Sequence, residues 1–249
     1  MQPAPAAAAR RRRGILPCWS VPASLADITS ATERPGVTQL DCYYSLSSPW
    51  AYLGGPRLQD IVRRHRPRLT LKPYDFQAVV LKTGGVPLRT RPPARRRYHQ
   101  VELDRWRRYL GMALVLEPKH YPQTMPADPD WNKYAGWTVI AAQDAGLDAF
   151  ALSHALLRAL WAEERDISLP QVRQAVADEN GYDGAKLVAA ERSARVQTLY
   201  RQFSDEAERL GVFGAPTFVI EGELFWGQDR LEFVDRALDA IRIRDEPRR

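Results

Sequence analysis

The chain has 249 residues, 45% of them hydrophobic, and a formal charge of +6 at pH 7, with an isoelectric point near 9.5. That length and apolar content can bury a sizeable core, which excludes disorder throughout and predicts one domain with an insertion, or two closely packed subdomains. The positive charge favours anionic partners, but it is concentrated in Arg10 to Arg13, Arg95 to Arg97 and the pair Arg107 and Arg108; with neither an aromatic RNA-binding motif nor a finger beside it, nucleic acid is not an expected partner.

Residues 1–26 contain no acidic residue and are rich in Ala, Pro and Arg. They loosely resemble an organellar presequence, but the prolines and the block of four arginines interrupt the amphipathic helix such a segment needs. Residues 1–37 therefore read as a disordered basic tail. The expected compartment is cytoplasmic, with mitochondrial as the alternative if the tail is a presequence. No apolar run approaches the length of a membrane span, so no membrane partner is expected.

Thr38 to Tyr44 reads as a strand, Ser45 to Pro49 as a loop, and Trp50 to His65 as a helix, with Pro49 suited to its first position and Ser48 to its N-cap. Leu69 to Tyr74 is the second strand, which makes a parallel strand-helix-strand unit. Phe76 to Pro93 reads as a loop, Ala94 to Gly111 as a charged helix, and Tyr121 to Asp130 as a loop punctuated by Pro122, Pro126 and Pro129. Arginines point all around that charged helix, so a solvated, salt-bridged face is the expectation, with substrate steering second. Helices follow at Trp131 to Ala145, Ala149 to Glu164, Leu169 to Asp178 and Asp183 to Leu210, the last broken, with Gly146 and Gly181 as stops.

Near the end, Ala215-Pro216 precedes a short apolar strand, Thr217 to Ile220. Glu221 to Glu223 is a hairpin turn, Leu224 to Trp226 a second strand, and Gly227, Gln228 and Asp229 open a helix with Leu231, Val234, Leu238 and Ile241 on one side. A cis bond at Pro216 is expected, leaving a backbone edge for a ligand's own backbone, and a carboxylate suits the helix start. This order predicts an α/β fold: a thioredoxin-like domain (38–85 and 205–244) with a parallel strand-helix-strand unit and a C-terminal antiparallel hairpin, interrupted by an all-helical insertion (86–204).

Cys18 and Cys42 are the only cysteines. They form neither a Cys-x-x-Cys pair nor a disulfide framework, which fits a reducing compartment. His65, His99, His120 and His154 lack metal-ligand spacing; each reads as a surface or core residue, and no metal is expected.

Two separated blocks, DCYYSLSSPWAYLG at 41–54 and VFGAPTF at 212–218 with WGQDR at 226–230, resemble the 2-hydroxychromene-2-carboxylate isomerase family, relatives of kappa-class glutathione transferases and of disulfide oxidoreductases with a helical insertion. The resemblance spans about Thr38 to Ile241. It implies glutathione as cofactor, with Ser48 standing where the oxidoreductases carry cysteine and donating a hydrogen bond to the cofactor sulfur at a helix N-terminus. On the residues alone, Ser48 is first of all an N-cap.

The resemblance further implies backbone hydrogen bonds from Ala215 beside Pro216, and a γ-glutamyl end held by Trp226, Gly227, Gln228 and Asp229. Asp229 reads equally as a helix cap, and Trp226 as a core aromatic. The second substrate implied is a small anionic, aromatic-derived carboxylate, a 2-oxo acid or cyclic hemiketal, bound at the basic loop by Lys82, Thr90 and Arg91 with Tyr121 as a wall. Arg91 also reads as a solvated loop residue and Tyr121 as core. Ring-opening members carry a lysine where this chain has Val80, leaving Lys82 as a shifted substitute.

The implied activity is glutathione-dependent isomerisation by reversible thiol addition. A kappa-like transferase or peroxidase, and a non-catalytic glutathione- or peptide-binding protein, are the alternatives. Disulfide exchange is disfavoured because Ser48 replaces the needed thiol. Relatives often dimerise, so a homodimer is compatible with the resemblance.

Overall fold

The computed structural model describes residues 37–121, 128 and 130–245. The tail read at 1–37 therefore lies outside the described residues except for Val37, as do Pro122, Pro126 and Pro129. Strand β1 (Gln39–Tyr44) is followed by helix α1 (Pro49–His65) and strand β2 (Arg68–Pro73). The chain then runs through α2 (Phe76–Lys82), α3 (Pro93–Leu110), α4 (Tyr134–Asp144), α5 (Ala149–Trp161), α6 (Pro170–Glu179), α7 (Gly184–Ala190) and α8 (Ala194–Arg209). It returns to β3 (Thr217–Ile220) and β4 (Glu223–Trp226) and closes with α9 (Leu231–Asp245).

The sheet has the order β2-β1-β3-β4. β1 runs parallel to β2, Cys42 facing Leu71, and antiparallel to β3, Cys42 facing Phe218. The hairpin pairs Thr217 with Trp226 and Ile220 with Glu223. This is the expected thioredoxin-like sheet, with helices α2 to α8 inserted between its second and third strands.

Because side chains alternate along a strand, β1 serves two cores. Leu40, Cys42 and Tyr44 join the larger one with α1, α4, α5 and α9, while Tyr43 faces Tyr74, Val79, Ala207 and Val212 on the other side. Gly54 permits close packing of α1 on the turn before α9: a Cβ there would lie 3.0 Å from that of Gln228. His65 and Arg64 at the end of α1 bond Asp235 of α9 at 2.7 and 2.9 Å.

The segment read as a loop from Phe76 contains α2. Asp75 caps it by accepting from Ala78 N at 3.2 Å, and Val79 and Val80 are buried. Burial and the cap outweigh the weak helix propensity of two adjacent valines. The helix expected from Trp131 begins at Tyr134, and α5 stops at Trp161, three residues before the expected Glu164. The long C-terminal helical stretch divides into α7 and α8 at Ser193, whose hydroxyl accepts from Val196 N at 3.3 Å.

Just before that cap, Glu191 is 4% exposed and receives the 2%-exposed Arg173 side chain at 2.6 Å. Arg173 also donates to Ile167 O and Ser168 O, and Thr138 donates to Glu191, so the buried ions are surrounded by partners. On α3, Arg107 and Arg108 pair with Asp104 and Arg105 with Glu102, the salt-bridged face expected there. No helix of the described residues is long and apolar enough to cross a membrane.

Candidate active site

β1 ends by feeding the turn Ser45–Ser47 into α1. The hydroxyls of Ser45 and Ser47 bond each other at 2.8 Å, and Ser48 N donates to Ser45 O at 3.0 Å. Ser48 caps α1: its hydroxyl accepts from Ala51 N at 3.2 Å and donates to Ala215 O at 3.2 Å. It therefore sits at the positive end of a 17-residue helix with no acidic residue in the first turn, where negative charge is favoured.

The Ala215-Pro216 bond is cis. Gly214 next to it accepts from Tyr74 OH at 3.1 Å and Thr217 Oγ1 at 2.9 Å. A Cβ at Gly214 would collide with the Trp226 indole, which meets Phe213 edge to face at 4.8 Å. Pro216 O accepts from Gly227 N at 2.8 Å, and Gly227 turns the chain with φ 98, a conformation that favours glycine. Gln228 follows, 2% exposed, its Oε1 without a partner among the described residues. Asp229 pairs with Arg230 at 2.8 Å.

These groups form one wall of a cleft of about 420 Å³, within the roughly 300–1,000 Å³ of small-molecule sites. The opposite wall is aromatic and basic. Arg89 lies 5.9 Å from the Tyr121 ring and 5.8 Å from that of Trp131. Arg91 donates to Val86 O at 2.8 Å; burial, then the nearby Arg95, lowers its pKa. Burial pushes the Tyr121 phenol up, against the pull of Arg89 and Arg91. From α3, Arg95, His99, Glu102 and Trp106 face the cleft. His99 meets Trp50 edge to face at 5.4 Å, and burial followed by Arg91 pushes its pKa down to about 4.

Of the residues singled out in the sequence, Ser48, Ala215, Trp226, Gly227, Gln228, Asp229, Arg91 and Tyr121 line this cleft. Pro216 lies behind it, beside a small cavity shared with Cys42, Tyr44 and Phe218. Lys82 and Thr90 do not line it. The exposed Lys82 pairs with Glu208 at 2.7 Å, and the Thr90 hydroxyl donates to Pro87 O at 3.0 Å. Val80 is fully buried, so that position belongs to the core. Cys42 is buried in β1, its thiol pKa pushed up by burial and then by Asp41. Trp226, weighed as a core aromatic, is half exposed.

The sequence reading missed His99, placed there on surface or in core, together with Trp106 and Trp131, and gave the Arg95 to Arg97 run a substrate-steering role only in second place. The signal was the spacing of Arg95, His99, Glu102 and Trp106, intervals of three and four that set one helix face toward one place.

The family model of the DSBA-like thioredoxin domain matches residues 39–239. The chain is 28% identical over 200 residues to a 2-hydroxychromene-2-carboxylate isomerase of Sphingobium xenophagum, covering 80% of this chain and 97% of the relative. It is 27% identical over 204 residues to glutathione S-transferase kappa 2 of Caenorhabditis elegans, covering 76% and 86%. A solved structure of a 2-hydroxychromene-2-carboxylate isomerase superposes with a TM-score of 0.66 at 23% identity, covering 83% of this chain and 97% of that one.

Proposed function

The chain belongs to the DSBA-like thioredoxin domain family, and from that premise we propose that it is a glutathione-dependent isomerase of aromatic-derived carboxylates of the 2-hydroxychromene-2-carboxylate type. The observation that carries this reading is Ser48: a hydroxyl at the N-terminus of α1, beside the Ala215 backbone, in a cleft whose far wall is aromatic and basic. Its relatives include an isomerase of that name.

The residues present fit glutathione. Gln228 Oε1 is a buried acceptor lacking a partner among the described residues, suited to an ammonium or amide donor, and the Asp229 carboxylate stands next to it. Ala215 and the turn at Gly227 would hold the peptide backbone. When bound, the tripeptide supplies a thiol that adds reversibly to a conjugated carbon and leaves unchanged.

Ser48 prepares the site for that thiol. Its bond to Ala215 O, at 3.2 Å, is long for an O–H donor, so the hydroxyl can turn toward a sulfur at little cost. The dipole of α1 adds to the preference for the thiolate. Arg91 and Arg95 offer forked donors to the substrate carboxylate, while Tyr121, Trp131 and Trp106 provide flat apolar walls for its ring. Holding both reactants in one cleft supplies proximity.

Arg91→Gln is expected to raise KM for the carboxylate substrate by about tenfold, the lower end of the ~1.5–3 kcal/mol of a charge-assisted bond because the residue is only partly buried. Glutathione affinity should be unchanged, as measured by calorimetry beside steady-state kinetics.

The test of the function itself is calorimetric titration with reduced glutathione, combined with product analysis on 2-hydroxychromene-2-carboxylate. Saturable binding and thiol-dependent conversion to the open-chain isomer support the reading. Accumulation of a stable glutathione conjugate would favour the kappa-like transferase instead, a second reading supported by the kappa relative. Binding without turnover would leave a binding protein, and no binding at all would remove the mechanism.

A further inference from the structure

Opening a cyclic hemiketal moves a proton as well as a bond. The hydroxyl on the hemiketal carbon must lose its hydrogen as the carbonyl forms, and the departing aryl oxygen must gain one. A thiol and fixed cations leave that transfer unserved.

The titratable side chains that line the cleft can be taken in turn. Arg89, Arg91, Arg95 and Arg230 stay protonated and offer no acceptor. Glu102 and Asp229 are held in ion pairs with Arg105 and Arg230. Tyr121 keeps its proton because burial opposes ionisation, and Tyr98 is exposed on the rim. The Ser48 hydroxyl is the group given above to the thiol, and it caps α1 by accepting from Ala51 N.

His99 is different. Its half-buried imidazole meets Trp50, two residues beyond Ser48, edge to face, and neither ring nitrogen has a hydrogen-bond partner among the described residues. A neutral imidazole carries one N–H and one bare nitrogen, so it can take a proton and return it. We propose that His99 is the proton-transfer residue of the ring-opening step, an assignment that rests on the isomerase reading above.

The hemiketal O–H breaks and its proton passes to the bare ring nitrogen. The ring C–O bond then breaks as the carbonyl forms, its electron pair goes to the aryl oxygen, and that oxygen takes the proton from the imidazolium. No electron enters or leaves, and His99 ends as it began.

The surroundings keep the accepting form available. Charged neighbours on this side of the cleft are Arg89 and Arg91 from the segment before α3, and Arg95 and Glu102 one turn to either side; Tyr121 stands in the same wall. α1 contributes Pro49 and Trp50 beyond Ser48 to the lining, and its Arg57 stands over the Trp106 ring at 5.0 Å; the C-terminal segment contributes the paired Asp229 and Arg230. Burial and Arg91 hold the imidazole neutral down to about pH 4, so the competent form is present at neutrality and is lost as pH falls through that value.

The experiment uses the full chain with isotope-labelled histidine, followed by NMR, with the His99 signal assigned through His99→Gln. The probe is chromone-2-carboxylate, a planar, unreactive bicyclic acid, added without glutathione. The His99 resonance is expected to keep its neutral position from pH 8 to 5 and to shift saturably with the probe. In kinetics with glutathione, His99→Gln should lower kcat by about 10²–10⁴-fold, the usual range for losing an acid-base group. It should also abolish the acid limb of kcat/KM and recover part of the rate on adding imidazole, with melting temperature and glutathione affinity unchanged.

An active wild type whose His99→Gln variant keeps kcat and the pH profile overturns the assignment alone. So does a His99 signal indifferent to the probe. A wild type that binds no glutathione and turns nothing over sinks the isomerase reading, and the proton-transfer role with it.

Discussion

Replacing Ser48 with alanine is expected to lower kcat/KM by about 10²–10³-fold, the loss typical of removing one hydrogen-bond donor from a developing anion in a cleft. The same change removes the cap of α1 and should cost about 1 kcal/mol of stability. The two roles separate in Ser48→Gly. Glycine at an N-cap is only a few tenths of a kcal/mol worse than serine, yet it has no hydroxyl to offer a sulfur. Alanine and glycine variants should therefore be equally impaired in catalysis and unequal in urea midpoint. The thiolate absorbance of bound glutathione near neutral pH should fall in both. An active Ser48→Gly enzyme would reduce this residue to a cap.

The second large effect lies in the helical insertion. Glu191→Ala is expected to destabilise the fold by about 3–5 kcal/mol, because it leaves the Arg173 guanidinium charged and buried without its counterion. Thr138 loses one of its two acceptors and keeps Tyr134 O. Against a total stability of about 5–15 kcal/mol for an ordinary domain, this is enough to empty much of the folded population in a marginal case. The paired replacement Arg173→Met with Glu191→Leu removes both charges and should restore most of the loss. Urea unfolding followed by circular dichroism checks both, and a loss under ~1 kcal/mol in Glu191→Ala would mean that water reaches the pair.

The strands were legible because their signals are local. Alternation in β1, the Ala215-Pro216 step before β3 and the Gly222 turn each declare themselves within a few residues. Seven residues with two adjacent valines do not show a helical period, which hid α2, although Asp75 three residues before Ala78 was a readable cap. Ser193 was equally readable as the start of α8. For the cleft, Ser48 from the first block came together with Ala215 and residues 226–229 from the second, Pro216 lying behind them, whereas Lys82 and Thr90 did not. Their side chains depend on how α2 packs on α8 and on the turn after it, and neither is encoded in the spacing of the loop. His99 escaped because a lone histidine on a charged helix has no signature until the helix is docked; only then does its interval to Arg95 and Trp106 acquire a direction.

The hydrogen bond from Ser48 to Ala215 joins residues 167 positions apart in the sequence. During synthesis at about 5–20 residues per second, the first leaves the ribosome roughly 8–33 s before the second. β1, α1 and β2 can form in that interval, but the C-terminal part of the wall that holds Ser48 does not yet exist. A nascent or prematurely terminated chain can therefore hold a correctly formed α1 and its serine cap while lacking the Ala215 side of the cleft, so only a chain translated through its C-terminal hairpin holds both halves of that wall.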